Sequence, residues 1–342
     1  EDNKSQDTLY KPTSFWEVCS QQIADDLKEN GIENFRALNT PKSFFAPTYA
    51  FINYLDDEKS YDKIRDELKN VTNDFKMSKK LENLLDGYSH AFSDYRVLKA
   101  TNKDIKPFTD KVSESGIGNP LEQYEFEGRK FSRSFLNYSL GLNFLKYHVD
   151  TSNISTVMEI GGGFGTLGEI LLGDERNEIF YINIDIPPVA YVSTYYLQNA
   201  FKDKKIADYA TLKDKKVLDI EDLKEKYDAI NTCSWQIEKL QGKIDLFVNF
   251  ISFQEMEPDV VNNYCSHIRR LNPEFVLLRN IKEGKKKKDE NTLYGVEIPI
   301  LADDYDTFLP EYELIAVDST IFGFITEDNF HSQLRLYKKR LY

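Results

Sequence analysis

Four glycines within five positions, Gly161, Gly162, Gly163 and Gly165, interrupt an apolar run that begins at Ile154 and carries one acid, Glu159. From Thr166 to about Leu172 the pattern turns helical. A strand that breaks into glycines and resumes as a helix brings main chain close to a ligand. Glycine lacks Cβ, so the turn reaches positive φ, and the free N–H groups opening the helix offer polar anchors. Two cofactor classes use this device. Read as Gly163-Phe-Gly-Thr-Leu-Gly168 the stretch satisfies GxGxxG, and Asp185 follows about 20 residues on, as a nicotinamide dinucleotide fold requires.

Strands and helices alternate beyond the turn. Strands are predicted at 179–186, 227–232, 244–250 and 275–278, and helices from Pro187-Pro188 to about Phe201 and over 258–271. Alternation of this kind means a parallel sheet. Two last β-like runs, 314–318 and 333–338, are expected to pair antiparallel at one edge. Upstream, apolar residues recur at helical spacing at Phe15, Val18, Cys19 and Ile23, then at Ile64, Leu68, Val71 and Phe75, then at Leu81, Leu84, Leu85 and Tyr88. Pro41, Pro47 and Gly87 read as turns, and 113–120, with Gly116 and Gly118, as a hinge. The expected organisation is a mostly helical N-terminal region, 1–130, serving as a substrate-side lid, and an α/β domain, 131–342, entered through a helix over 131–147.

Composition excludes some functions. A formal charge of −13 repels a polyanion, so nucleic acid is not the expected partner. The basic run Lys285 to Lys288 is short and flanked by acids, and reads as a solvated loop or, more sharply, as a contact for a phosphate-bearing substrate. No apolar run reaches the roughly 20 residues that span a bilayer. Three cysteines, Cys19, Cys233 and Cys265, form no CxxC pair, and no charged-then-apolar leader opens the chain, so a cytoplasmic location is expected. Asp303, Asp304 and Asp306 read as a solvated turn, and no metal is expected. A homo-oligomer stays open.

Read instead as Glu159-Ile-Gly-Gly-Gly-Phe-Gly165, the opening stretch resembles the ExGxGxG motif of class I S-adenosylmethionine-dependent methyltransferases. An acid beside a cofactor with an ammonium and a sulfonium is well placed, and beside a pyrophosphate it is not. Asp185 suits either cofactor, because a carboxylate accepts hydrogen bonds from both ribose hydroxyls. Phe131-Ser-Arg-Ser-Phe-Leu-Asn-Tyr138, the glycine block, Tyr181-Ile-Asn-Ile-Asp-Ile-Pro-Pro188, Phe247-Val-Asn-Phe-Ile-Ser-Phe-Gln-Glu-Met256 and Leu278-Arg-Asn-Ile-Lys-Glu-Gly284 together resemble the sugar O-methyltransferase family, whose members are associated with surface polysaccharide and glycosylated natural products. The resemblance implies a Rossmann-like class I methyltransferase fold and methyl transfer from S-adenosylmethionine to a sugar hydroxyl in a polysaccharide, glycan or nucleotide-sugar. The alternatives are an NAD-dependent oxidoreductase and a non-catalytic interaction module that keeps the fold.

In an open parallel sheet ligands sit beyond the carboxyl ends of the strands. That rule and the resemblance together imply a cofactor site of Arg133, Tyr138, Glu159, Gly161, Gly162, Gly163, Gly165, Asp185, Ile186, Trp235, Gln236 and Asn249. Trp235 and Gln236 would meet adenine with a ring face and an amide edge, and Arg133 would clamp a carboxylate. Gln254, Arg279 and Asn280 are implied on the acceptor side. Glu255 is the candidate general base, its alternative being to neutralise the helix that starts near Pro258. His331 is the histidine candidate, with His90 a second that could reach the crevice. His148 and His267 read as structural.

Overall fold

The computed structural model describes residues 2, 6–37, 47–50, 58–288, 295–326 and 329–341; the expected Pro41 turn lies outside them. Helices α1 (Ser14–Asn30), α2 (Glu58–Asn70), α3 (Phe75–Leu85) and α4 (Tyr88–Thr101) come first, followed by a hairpin of β1 (Tyr124–Phe126) and β2 (Arg129–Phe131) and the long helix α5 (Arg133–His148). The glycine unit is β3 (Thr156–Ile160) and α6 (Thr166–Leu172), and β4 (Phe180–Asp185) and α7 (Val189–Ala200) follow. Next come β5 (Ile206–Ala207), α8 (Tyr209–Leu212), β6 (Leu218–Asp219), α9 (Ile220–Lys224), β7 (Ala229–Cys233), β8 (Leu240–Gln241), β9 (Leu246–Phe250) and α10 (Pro258–Leu271). The chain closes with β10 (Phe275–Ile281), α11 (Asp304–Phe308), β11 (Tyr312–Asp318), β12 (Phe324–Ile325) and β13 (His331–Lys339).

Among the described residues nine strands form one sheet in the order β11-β13-β10-β9-β3-β4-β7-β5, with β12 added on β13. From β10 to β5 every pairing is parallel, whereas β13 runs antiparallel to both β10 and β11. Strands β3, β4, β7 and β9 are buried along their whole length, which is why they read as continuous apolar runs and not as alternating ones. Their side chains still divide by face. Val157, Tyr181 and Val248 join α5, α6 and α7 on one side, and Met158, Ile182 and Phe247 join α10 on the other. Ile23, Phe35, Ala91, Tyr95 and Leu98 belong to the first of these cores, so the N-terminal helices and the sheet share one apolar interior. No helix among the described residues is long and apolar enough to cross a membrane.

Two upstream expectations change. The run through Ile64, Leu68, Val71 and Phe75 is not one apolar face, because Asp74 accepts hydrogen bonds from the Lys76 and Met77 amides and starts a new helix. Val71 and Phe75 are left 70% and 82% exposed. Helix α4 and the β1–β2 hairpin carried no clear sequence signal. The expected hinge at 113–120 is a tied segment: the buried Glu114 carboxylate accepts from Arg36 Nη2 at 2.6 Å and Ser132 Oγ at 2.8 Å, and the Ser115 amide donates to Glu169 at 2.8 Å.

Candidate active site

A cavity of about 270 Å³ opens where β3, β4, β7 and β9 end, and Gly161 to Gly163, Asp185, Ile186, Ser234 and Glu255 line it. The Gly161 amide donates to Ile184 O at 2.8 Å, which stitches the turn to β4. Gly161 has φ +72°, and a Cβ there would stand 2.0 Å from Ser252 Oγ, so no other residue fits. Gly163 has φ +59° with nothing within 4 Å of a Cβ, and it presents bare main chain to open space. The Asp185 carboxylate accepts from the Gly163 amide at 3.1 Å and the Ile186 amide at 2.7 Å. Burial, reinforced by the charges of Glu159 and Glu255, pushes its pKa up to about 8 against those two hydrogen bonds.

Glu159 is not in the wall. Its two carboxylate oxygens accept from Tyr138 Oη at 2.8 Å and Tyr181 Oη at 2.5 Å, and Oε2 lies 2.6 Å from where a Cβ on Gly162 would be. The acid supports the glycine turn from behind and reaches a ligand only through its field; Tyr138, which does line the cavity, stands in front. Burial raises the Glu159 pKa to about 7, with the two phenols opposing. A carboxyl whose folded pKa lies above its unfolded value keeps its proton in the fold while the unfolded chain has lost it, so stability falls as pH rises between the two values. At about 1.4 kcal/mol per pH unit, the ligand-free protein should lose about 2 kcal/mol through Glu159 between pH 5.5 and 8. Urea unfolding of Glu159→Gln beside the parent checks this; an equal pH dependence in both refutes it.

The expected acceptor-side amides Gln254 and Asn280 make a buried belt with Asn249, which was expected on the cofactor side. Asn249 Nδ2 donates to Ile160 O at 2.8 Å and Ser252 Oγ at 2.9 Å, and Asn280 Nδ2 donates to Asn249 Oδ1 at 3.2 Å. Asn280 Oδ1 accepts from the Gln254 amide at 3.1 Å, and Gln254 Oε1 from the Ile281 amide at 2.7 Å. None of the three lines the cavity. They shape the turn after β9, in which Ile251 takes φ +74°, a costly conformation for a β-branched residue that the belt and the 2.6 Å bond from its amide to Arg279 O hold in place. That turn delivers Glu255 to the cavity. Arg279 is 1% exposed, donates to Asn137 O, Phe322 O and Ser332 Oγ, and lies 5.9 Å from the Phe250 ring. Phe250 in turn stacks on Tyr138 at 4.8 Å, so Arg279 backs an aromatic wall without entering it.

Around Glu255 the structure gathers residues the sequence left unconnected. Trp16 Nε1 donates to its Oε2 at 3.1 Å, Lys285 Nζ to its Oε1 at 3.0 Å, and Thr13 Oγ1 to its backbone oxygen at 3.0 Å. The first lysine of the basic run is therefore an ion-pair partner in the site and not a solvated group. Lys11, Pro12, Thr13 and Trp16 line the cavity together with the glycine turn, a contribution with no motif to announce it. Residue pairs more than 200 positions apart cannot be read from local pattern.

Other expected site residues point elsewhere. Arg133 Nη1 donates to Thr48 O at 2.8 Å and its guanidinium lies 5.4 Å from the Tyr49 ring, while its neighbour Ser134 faces the cavity. Trp235 packs edge-on against Tyr209 at 5.6 Å, and Gln236 Oε1 accepts from Thr232 Oγ1 and the Cys233 amide; Ser234 faces the cavity in their place. Gly165, at φ +102°, caps α6 and leaves the wall to Gly161 to Gly163. His331 begins β13, with Nδ1 2.5 Å from Glu283 Oε1, and does not line the cavity; His90 is exposed on α4. His331→Ala should leave turnover within about threefold, since no reacting atom lies in its reach; a loss like that of a general base, about 10²-fold or more, would return it to the site.

A parallel sheet with a glycine turn after its first central strand, an acid closing the next, and β13 antiparallel between β10 and β11 is the Rossmann-like class I methyltransferase fold. No family model matches the sequence, and no curated protein matches it. Solved structures do. The chain is similar to the mitomycin 7-O-methyltransferase MmcR at 11% identity and TM-score 0.39, over 60% of this chain and 54% of that one, so it spans about half of that enzyme's length. It is similar to the magnesium protoporphyrin IX methyltransferase of Synechocystis PCC 6803, with bound S-adenosylmethionine, at 12% identity and TM-score 0.38, over 60% of this chain and 81% of that one. The methyltransferase CcbJ from Streptomyces caelestis matches at 8% identity and TM-score 0.38, over 60% of this chain and 95% of that one.

Proposed function

We propose that the protein is an S-adenosylmethionine-dependent O-methyltransferase acting on a sugar hydroxyl. The observation that carries this reading is one cavity holding bare main chain at Gly163, the Asp185 carboxylate and the Glu255 carboxylate. Charge supports the cofactor. Among the described lining residues Asp185 and Glu255 are the acids, the latter paired with Lys285, and Lys11 is the one cation, a wall ill suited to a pyrophosphate. The group fits: each Asp185 oxygen holds one amide bond and keeps lone pairs for a ribose hydroxyl, and Gly163 leaves room beside it. The sugar acceptor rests on the sequence blocks that resemble sugar O-methyltransferases.

Bound S-adenosylmethionine supplies an electrophilic methyl group. The protein has to align the acceptor oxygen and receive its proton. Glu255, held by Trp16 and Lys285, would accept the hydroxyl's hydrogen bond and take up the proton as the new C–O bond forms and the methyl–sulfur bond breaks, the thioether being the leaving group. Tyr138 and Phe250, backed by Arg279, keep the wall apolar and exclude water. Calorimetry with S-adenosylhomocysteine and with NAD tests the cofactor: tighter binding of NAD points to an oxidoreductase, and binding of neither to a non-catalytic module. Mass spectrometry for methyl gain across nucleotide-sugars and oligosaccharides tests the acceptor.

A further inference from the structure

The first described residues do more than precede the fold. Tyr10 O accepts from Ser234 Oγ at 2.6 Å, beyond the end of β7, and its phenol donates to Glu238 at 2.8 Å. Thr13 and Trp16 are fastened to Glu255, beyond the end of β9. In the sheet order β9-β3-β4-β7, these two anchors flank β3 and β4, whose ends carry the glycine turn and Asp185. The segment from Tyr10 to Trp16 therefore arches over the cavity, and whatever rests on Gly163 and Asp185 lies between the sheet and this strap.

We propose that the strap supplies the acceptor subsite, with the Trp16 indole as the platform on which a pyranose ring stacks and Glu255 as the group its hydroxyl meets. This rests on the methyltransferase reading above. Trp16 is half-buried, lines the cavity, and has its ring oriented by the indole N–H bond to Glu255 and by an edge-on contact with Phe15 at 5.8 Å. The part of the ring that lines the cavity is apolar surface beside a hydrogen-bond acceptor, a pairing that matches a sugar's C–H face and the hydroxyls around its rim. Lys285 Nζ holds the other carboxylate oxygen and lies 4.8 Å from the Phe15 ring, so the same ion pair that orients Glu255 also braces the start of α1. Carboxylate, platform and strap are one unit.

Trp16 and Trp235 are the two tryptophans, and Trp235 is packed away on Tyr209, so emission from Trp16 reports the subsite directly. The test titrates methyl α-glucoside, methyl α-galactoside, methyl α-mannoside and UDP-glucose into the full chain saturated with S-adenosylhomocysteine. A saturable emission change with at least one of them is expected in the parent. In Trp16→Ala, calorimetry should give an affinity for that glycoside weaker by about tenfold or more, a larger loss than any in S-adenosylhomocysteine affinity. Trp16→Phe keeps a ring face and should recover most of the loss, whereas Trp16→Leu should not. Unchanged glycoside affinity in Trp16→Ala overturns the platform, as does a parent that binds S-adenosylhomocysteine and none of the four sugars. A parent that fails to bind S-adenosylhomocysteine overturns the methyltransferase reading instead.

Discussion

Glu255→Gln is expected to lower methyl transfer by about 10²–10⁴-fold while leaving S-adenosylhomocysteine affinity within about threefold. The amide keeps the size of the side chain and one oxygen to accept from Trp16 or Lys285, so the turn after β9 and the strap above it should stay in place. What it loses is the negative charge that, on the proposed mechanism, would take up the acceptor proton. A separation of kcat from cofactor binding is therefore the signature, read by single-turnover kinetics beside calorimetry. Near-normal turnover with intact cofactor binding would remove Glu255 as the base.

Asp185→Ala should weaken S-adenosylhomocysteine binding by about 10²-fold, the loss expected when two hydroxyl hydrogen bonds to a carboxylate disappear. Affinity in the parent should also depend on pH. With its pKa pushed up to about 8 by burial, Asp185 is protonated in most ligand-free molecules at pH 7. Ribose hydroxyl donors favour the ionised form, so binding releases a proton and tightens as pH rises toward 8, by up to about tenfold per unit, before levelling off. Calorimetry in two buffers of different ionisation enthalpy counts that proton. Asp185→Asn should abolish both the release and the slope, and a slope that survives would assign them to another group.

Much of the fold was legible because local pattern and tertiary demand coincide in it. Helix α10 was predicted over the residues it occupies, since Val261, Tyr264, Ile268 and Leu271 recur at helical spacing behind a first-turn proline. The strand predictions missed mainly at their ends: β10 runs on to Ile281 because pairing with β13 continues that far, and no local signal encodes a partner more than 50 residues away. The break between α2 and α3 escaped because Asp74 reads as one more polar residue until its carboxylate is seen on two amides.

The site was legible only in part. Gly161, Gly163, Asp185 and Glu255 were named and face one cavity, because a strand end is defined by the strand itself. Trp235, Gln236, Asn249, Gln254 and Asn280 were also named from strand ends, yet Trp235 packs on Tyr209, Gln236 turns its oxygen to Thr232 and the Cys233 amide, and Asn249, Gln254 and Asn280 bond one another and nearby backbone, since a buried amide costs free energy until it is paired. Which of two adjacent residues faces the ligand, Ser234 or Trp235, Ser134 or Arg133, turns on a single backbone rotation that sequence does not display.

The sequence by itself determined a glycine turn between strand and helix, a parallel sheet around it, an acid behind it and an acid beyond the next strand, because each depends on residues a few positions apart. Only the tertiary structure decided that Glu159 is spent on two tyrosines, that Lys285 and Trp16 share Glu255, and that the N-terminal strap arches over the cavity. Those contacts join residues from 21 to 242 positions apart, and are set by the order in which strands pair and helices pack.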